Sequence, residues 1–270
     1  MMKSNEIKSK IIDFIPTIVS VFIALIIGGI IMISKGLNPF VAYFDMVKAA
    51  FYQSSPRSPF FSGLAKTLFI ATPLIFSALS AMVAFRAGLF NIGMQGQMIA
   101  GGLTAAFWAV AFKNQFLGNV VIVIIVAMVA GFIWAGIAGF LKSRFGVNEV
   151  ISTIIVEIQN FLINGPLKDP LSQIPQTVKV VKNARLPLLF AKVTKQNLNF
   201  GFILAILLII ALYCFFKNSK KGYEIKAVGQ SETVAENAGI NPKKIMFLAM
   251  GIAGICAGLG GAERVLGGAS

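Results

Sequence analysis

The sequence predicts an all-α fold, a polytopic helical membrane protein with about seven transmembrane spans. Three observations carry that expectation. Of the 270 residues, 57% are hydrophobic. Only 13% are charged, about half the share usual in soluble domains. The apolar residues also gather into runs approaching or exceeding the roughly 20 helical residues that cross a bilayer core.

The runs lie at 17–34, 60–85, 89–112, 118–141, 145–164, 200–216 and 245–262. The first follows the basic stretch KSNEIKSK. It is longer than the apolar core of a signal peptide, and the KGLNPF after it is no small-residue cleavage site, so it reads as a retained span. The second run contains Pro73, which predicts a kink tolerable in a buried membrane helix. The third opens on NIGMQGQMIAGG, whose glycines and amides predict a broken or re-entrant half-helix. KSNEIKSK, FRAG after the second run, KSR after the fourth and KNSKK after the sixth share one side if the N-terminus is cytoplasmic. That is the positive-inside pattern. The segment 165–199 then falls outside despite Lys168, Lys179, Lys182, Arg185, Lys192 and Lys195. Longer loops translocate largely regardless of charge.

Several functions are excluded. The formal net charge is +14, but the basic residues sit in loops between spans and make no contiguous face with interleaved aromatics. Nucleic acid is therefore not the expected partner; membrane lipid is. Cys214 and Cys256 each stand inside an apolar run and are expected to be buried small hydrophobes. With no histidine in the chain, Ser-His-Asp and Cys-His catalysis and histidine metal sites are removed together. No metal site, catalytic residue or GxxxxGK[ST] phosphate loop is found. GICAGLGGA is glycine-rich but lies in an apolar span, where close helix packing explains it better than phosphate binding. Trp108 and Trp134 are read as lying towards span ends.

Between the last two runs sits the polar segment KGYEIKAVGQSETVAENAGINPKK, within a loop of 217–244. Ser231 is a good N-cap, and Glu232 suits the positive end of a helix dipole. Gly239 can take the left-handed position after the helix, Ile240 can fold back as its hydrophobic neighbour, and Pro242 prevents continuation. The spacing predicts a short capped helix. Alone, so short a helix is unstable in water and needs a surface to pack on.

The stretch GYEIKAVGQSETVAENAGINPKKIMFLAMGIAGICAGLGGA resembles the cytoplasmic coupling loop and following span of bacterial ATP-binding cassette permeases, in particular the branched-chain amino acid and simple sugar permease family. FRAGLFNIGMQGQMIAGG and GVNEVISTIIVEIQNFL extend the resemblance in order. NGPLKDPLSQIPQT with ARLPLL is most similar to the nucleoside-type members. The resemblance implies one permease domain over 1–270, in the bacterial plasma (inner) membrane. It implies an importer of nucleosides or simple sugars that works by alternating access. It also implies a cytoplasmic ATP-binding subunit, a second permease subunit of the same or a homologous chain, and an extracytoplasmic substrate-binding protein. The chain would hold no cofactor; ATP would be used by the partner. ATPase coupling would fall to Glu224, Gly229, Ser231, Glu232, Ala235, Glu236 and Gly239. Two departures stand out. Gln95 replaces the usual glutamate of NIGxEGQ. The family usually continues through further helices past the position of Ser270, so the chain is expected to be C-terminally truncated or a shorter variant.

The substrate pathway has two candidate clusters. Thr153, Glu157, Asn160 and Asn164 recur at helical steps and share one stripe. Glu157 reads as the one acid near mid-span. Such a stripe either lines a path for a polar solute or holds helices together by hydrogen bonds. Asn91, Gln95 and Gln97 form the second cluster, with pathway lining and helix-entry packing both open. The alternative function is an ion-coupled secondary carrier or channel. Such a carrier usually shows several mid-span ionisable residues or an inverted repeat.

Overall fold

The computed structural model describes residues 2–52, 62–112, 115–145, 182–189 and 197–267. The fold is helical, as the sequence predicts. Among the described residues the helices are α1 Met2–Ser34, α2 Pro39–Phe51, α3 Ser62–Arg86, α4 Met94–Ala111, α5 Val120–Phe145, α6 Gly201–Asn218, α7 Lys220–Gln230, α8 Glu232–Asn237 and α9 Pro242–Gly267. The chain divides into two compact units, 1–64 and 65–270.

In the first unit α1 and α2 meet at a 116° bend across a short break. Asn38 makes the restart possible. Its Oδ1 accepts from Phe40 N at 3.0 Å, with Pro39 in the first turn, where a missing N–H costs nothing. Tyr43 Oη donates to Leu25 O at 2.6 Å, and Gly28 leaves room for that hydroxyl. The run 17–34 is helical, and among the described residues it is long and apolar enough to cross a bilayer only together with α2, which the sequence reading does not foresee.

In the second unit α3, α5, α6 and α9 are each long and apolar enough to cross a bilayer. The helix α9 is central. Within its most apolar window 72% of residues are buried, against 22% to 39% in the other three. It packs chiefly on α5 and α4. The seam is built from glycine: a Cβ on Gly101 would lie 2.6 Å from Gly258 Cα, and Gly131 and Gly254 meet backbone to backbone. Without side chains between them the helices approach closely and gain dispersion contacts, the interface expected where lipid supplies no hydrophobic drive. The glycine-rich run is thus used for packing. Pro73 lies inside α3, which continues through it.

The expected third span is broken. After Gly88 the chain turns back without helix, and Asn91 Nδ2 donates to Ser80 Oγ at 3.3 Å, inside the body of α3. The helix α4 therefore begins within the bundle. Met98, one turn into it, already faces Phe76's neighbour Gly260 in the last third of α9. The expected fifth span, 145–164, lies almost wholly outside the described residues.

Two smaller expectations are corrected. Trp134 lies in the body of α5, not near an end, because that helix runs on to Phe145. Trp108 is close to the end of α4, where Nε1 donates to Leu117 O at 3.0 Å. Cys256 is buried, but Cys214 is exposed on α6.

Candidate functional site

The polar segment after α6 folds into two helices, not one. Ser219 caps α7 by accepting from Gly222 N at 2.9 Å. Along α7, Ile225 and Val228 are buried in a cluster with Val83 and Ala84 of α3, Phe216 of α6 and Ile245 of α9. Glu224 is also turned inward, and Lys221 Nζ reaches its Oε2 at 2.7 Å. Gly229 lies against the Gly88 backbone at the end of α3.

The short helix α8 follows as its sequence predicts. Ser231 Oγ accepts from Val234 N at 3.3 Å. Gly239 has φ +79°, Gly239 N donates to Glu236 O at 2.9 Å, and Ile240 N donates to Ala235 O at 3.0 Å. These are the two bonds of a Schellman close, with Ile240 folded onto the core. Ala235, 2% exposed, is the one buried residue of α8. Glu232, Thr233, Val234, Glu236 and Asn237 are exposed. The sequence-predicted coupling residues therefore divide. Glu224, Gly229 and Ala235 face inward and build the seat, Ser231 and Gly239 cap the helix, and Glu232 and Glu236 stand outward.

The Asn91, Gln95 and Gln97 cluster divides too. Asn91 and Gln97 are 3% and 1% exposed and bond each other reciprocally, Gln97 Nε2 to Asn91 Oδ1 at 3.0 Å and Asn91 Nδ2 to Gln97 Oε1 at 3.2 Å. They fasten the non-helical turn to α3. Gln95 instead opens into a cavity of about 340 Å³, shared with Ser77 and Pro73 of α3, Met94 and Met98 of α4, and Arg264 of α9. Ser77 Oγ donates to Pro73 O at 3.0 Å. Because α4 starts inside the bundle, the positive end of its dipole lies at this cavity. Arg264 is exposed close to the C-terminal end of the largely apolar α9, a position costly in hydrocarbon unless it faces water or protein. A guanidinium, an amide and a hydroxyl over an apolar floor can bind a polar, uncharged solute by hydrogen bonds.

Sequence reasoning stops the last span at Ala262 and so misses Glu263 and Arg264, which α9 carries as it runs on to Gly267. Glu263 is 2% exposed, and its Oε1 accepts from Asn199 Nδ2 at 2.8 Å. Glu263 is thus an acid close to the C-terminal end of α9, whereas the reading of Glu157 as the one acid near mid-span falls outside the described residues. The signal was present: nothing in GGAERVL breaks a helix. Thr153, Glu157, Asn160 and Asn164 lie outside the described residues. Among the described residues no cluster of His, Cys, Asp or Glu can hold a metal ion.

Residues 63–268 match the family model described as "Branched-chain amino acid transport system / permease component". The chain belongs to this family. The permease is 35% identical over 258 residues to the nucleoside ABC transporter permease protein NupB of Lactococcus lactis subsp. cremoris, covering 92% of this chain and 69% of the relative. It is 32% identical over 257 residues to the guanosine ABC transporter permease protein NupP of Bacillus subtilis, covering 93% and 71%. With a glucose ABC transporter permease protein of Haloferax volcanii it shares 28% over 262 residues, covering 93% and 67%. No solved structure matches the permease. Family and helices together make it a multi-pass membrane protein and a transport component.

Proposed function

We propose that this permease is the membrane subunit of an ATP-driven importer for nucleosides or simple sugars, of which nucleosides are favoured. The observation that carries the reading is the outward face of α8. A helix of one and a half turns does not persist alone in water, yet this one is capped at both ends and seated on Ala235 and Ile240. It keeps Val234 66% exposed between two exposed glutamates. An ordered, exposed knob of this kind fits a docking partner.

In this reading 217–244 is the cytoplasmic coupling loop, and the knob inserts into a separate ATP-binding subunit. Nucleotide-driven closure of the ATPase pair pulls α8, and the seat on α3, α7 and α9 passes the displacement to the spans. The N-terminus is cytoplasmic, the membrane is the bacterial inner membrane, and 165–199 meets an extracytoplasmic binding protein. A second permease subunit completes the path. This chain supplies no cofactor and makes or breaks no covalent bond in the solute. Gln95, Ser77 and Arg264 bind the solute, and Thr153, Glu157, Asn160 and Asn164 line its path. Asn91 and Gln97 hold the half-helix start that presents Gln95. The nucleoside preference rests on the names of two relatives and on the hydrogen-bonding character of the cavity.

The test is affinity capture of the permease from gently solubilised membranes, wild type beside Glu232→Arg and Glu236→Arg. The ATPase subunit is expected with wild type and lost from the variants. Its absence from the wild-type capture rules out the subunit reading. Its undiminished presence with both variants rules out α8 as the docking element.

A further inference from the structure

We propose that the groove between the ends of α3 and α6 is a binding site for an anionic phospholipid of the surrounding bilayer. The cavity measures about 420 Å³. Leu79 of α3 and Ile209 and Leu212 of α6 give it an apolar wall. Arg86, Lys217 and Lys226 stand round its mouth. Arg86 is in the last turn of α3 and Lys217 in the last turn of α6, so both mark the level where hydrocarbon gives way to headgroups. Lys226 reaches the same mouth from α7.

Among the described residues no carboxylate lines the groove and none of the three cations is paired with an acid. The nearby Glu224 is engaged by Lys221. Aromatic faces hold two of the cations in place: Arg86 Cζ lies 5.6 Å from the Phe216 ring centroid and Lys217 Nζ lies 5.5 Å from that of Tyr213. Three cations gathered at one mouth repel one another, and a phosphate between them relieves that repulsion. The wall leads onto the outward face of α6, where Ile209 is 42% and Ile210 53% exposed. An acyl chain can therefore lie along Leu79, Ile209 and Leu212 while its phosphate meets the cations. A free phosphate ester would leave the apolar wall uncovered, which favours the whole lipid. The site borders the seat of α8, since Phe216 packs with Ile225 and Val228. Its occupancy thus stiffens the element that α8 stands on.

The full chain, purified in mild detergent, is offered dioleoylphosphatidylglycerol or dioleoylphosphatidylcholine, and the lipid retained is counted by native mass spectrometry. The acyl chains are identical, so any preference reports the headgroup. Each basic residue near a membrane surface contributes about a fivefold preference for anionic lipid. Wild type is expected to retain phosphatidylglycerol at least about fivefold better. Lys217→Gln with Lys226→Gln should remove most of that preference, while Lys217→Arg with Lys226→Arg should keep it. Lys243→Gln with Lys244→Gln, at the start of α9 outside the groove, should also leave it intact. Both groove lysines reach solvent, and an unchanged elution profile confirms that the variants fold. Equal retention of the two lipids overturns the proposal, as does a preference that survives Lys217→Gln with Lys226→Gln. Full displacement of the lipid by sn-glycerol 1-phosphate at equal concentration overturns it in favour of a soluble phosphate ligand.

Discussion

Gly229 of α7 and Gly88 at the end of α3 meet backbone to backbone. A Cβ on Gly88 would lie 3.3 Å from Gly229 Cα, and one on Gly229 would lie 2.9 Å from Gly88 N and run into the Arg86 carbonyl oxygen. The atoms in the way are backbone, so no side-chain rotation relieves the clash. Gly88 also holds φ +72°, which lets α3 stop and the chain turn back towards Asn91. One contact therefore joins the α8 platform to a span and to the start of the broken helix. Gly229→Val is expected to destabilise the permease by about 1–3 kcal/mol, read as a lowered melting temperature in detergent. It should also weaken capture of the ATPase. A variant with unaltered melting would show that α7 does not rest on α3 in this way.

Gly239 offers a test of the cap free of steric contact. Nothing lies within 4 Å of where its Cβ would stand. Any effect of Gly239→Val must come from its φ of +79°, at a cost of about 1–2 kcal/mol for a residue with a Cβ. Gly239→Asn should be much milder, since asparagine tolerates this conformation. The amide of Ile240, bonded to Ala235 O, is the reporter. Its hydrogen exchange is expected to quicken in the valine variant and stay near wild type in the asparagine one. Equal exchange in both would mean the cap is not held by the left-handed residue.

These two contacts show where the sequence was legible. The α8 caps are local: Ser231, Gly239, Ile240 and Pro242 each act within a few residues, so their spacing announces the helix. The inward turn of Glu224 and the Gly229 contact are set by helices far away in the chain, and no local pattern carries them. The same division explains Asn91, Gln95 and Gln97. Composition marks the stretch as polar and broken. Which amide pairs with its neighbour and which opens into the cavity depends on how α4 starts against Ser80 and Ser77. Glu263 and Arg264 escape a reading that ends an apolar run at its first charge, because α9 has no reason to stop there.

Gln95 and Arg264 are expected to act on solute affinity. With the complete importer in cells, Gln95→Ala should raise the KM for radiolabelled guanosine about twofold to tenfold, the value of one neutral hydrogen bond. Arg264→Gln should raise it about tenfold or more, since a charged donor is lost. Asn91→Ala is the contrasting case. It leaves the buried Gln97 amide and Ser80 hydroxyl without their partner, so it should lower the melting temperature and expression and, by loosening the turn that presents Gln95, raise the KM no further than Gln95→Ala does. If the KM is indifferent to both Gln95 and Arg264, the solute does not bind in this cavity.

Beside Arg264, at the C-terminal end of α9, Asn199 works as a hub. Its Nδ2 donates to Glu263 Oε1 at 2.8 Å and its Oδ1 accepts from Gly201 N at 2.7 Å, which fixes the start of α6 against α9. Gly201 and Gly267 leave room for the pair, since a Cβ on either would strike Glu263 or Asn199. The same junction is backed by Leu186 N donating to Leu266 O at 3.0 Å and Phe200 N donating to Pro187 O at 2.8 Å. Glu263→Ala strands a buried amide donor, and a loss of about 1–3 kcal/mol is expected. Glu263→Gln keeps an acceptor facing Asn199 and should lose less. If melting temperatures of the detergent-purified variants fall in that order, the carboxylate serves to join α6 to α9. If Glu263→Gln instead melts like wild type but abolishes uptake, the group acts in transport, and its second oxygen, unpartnered among the described residues, is the atom to pursue.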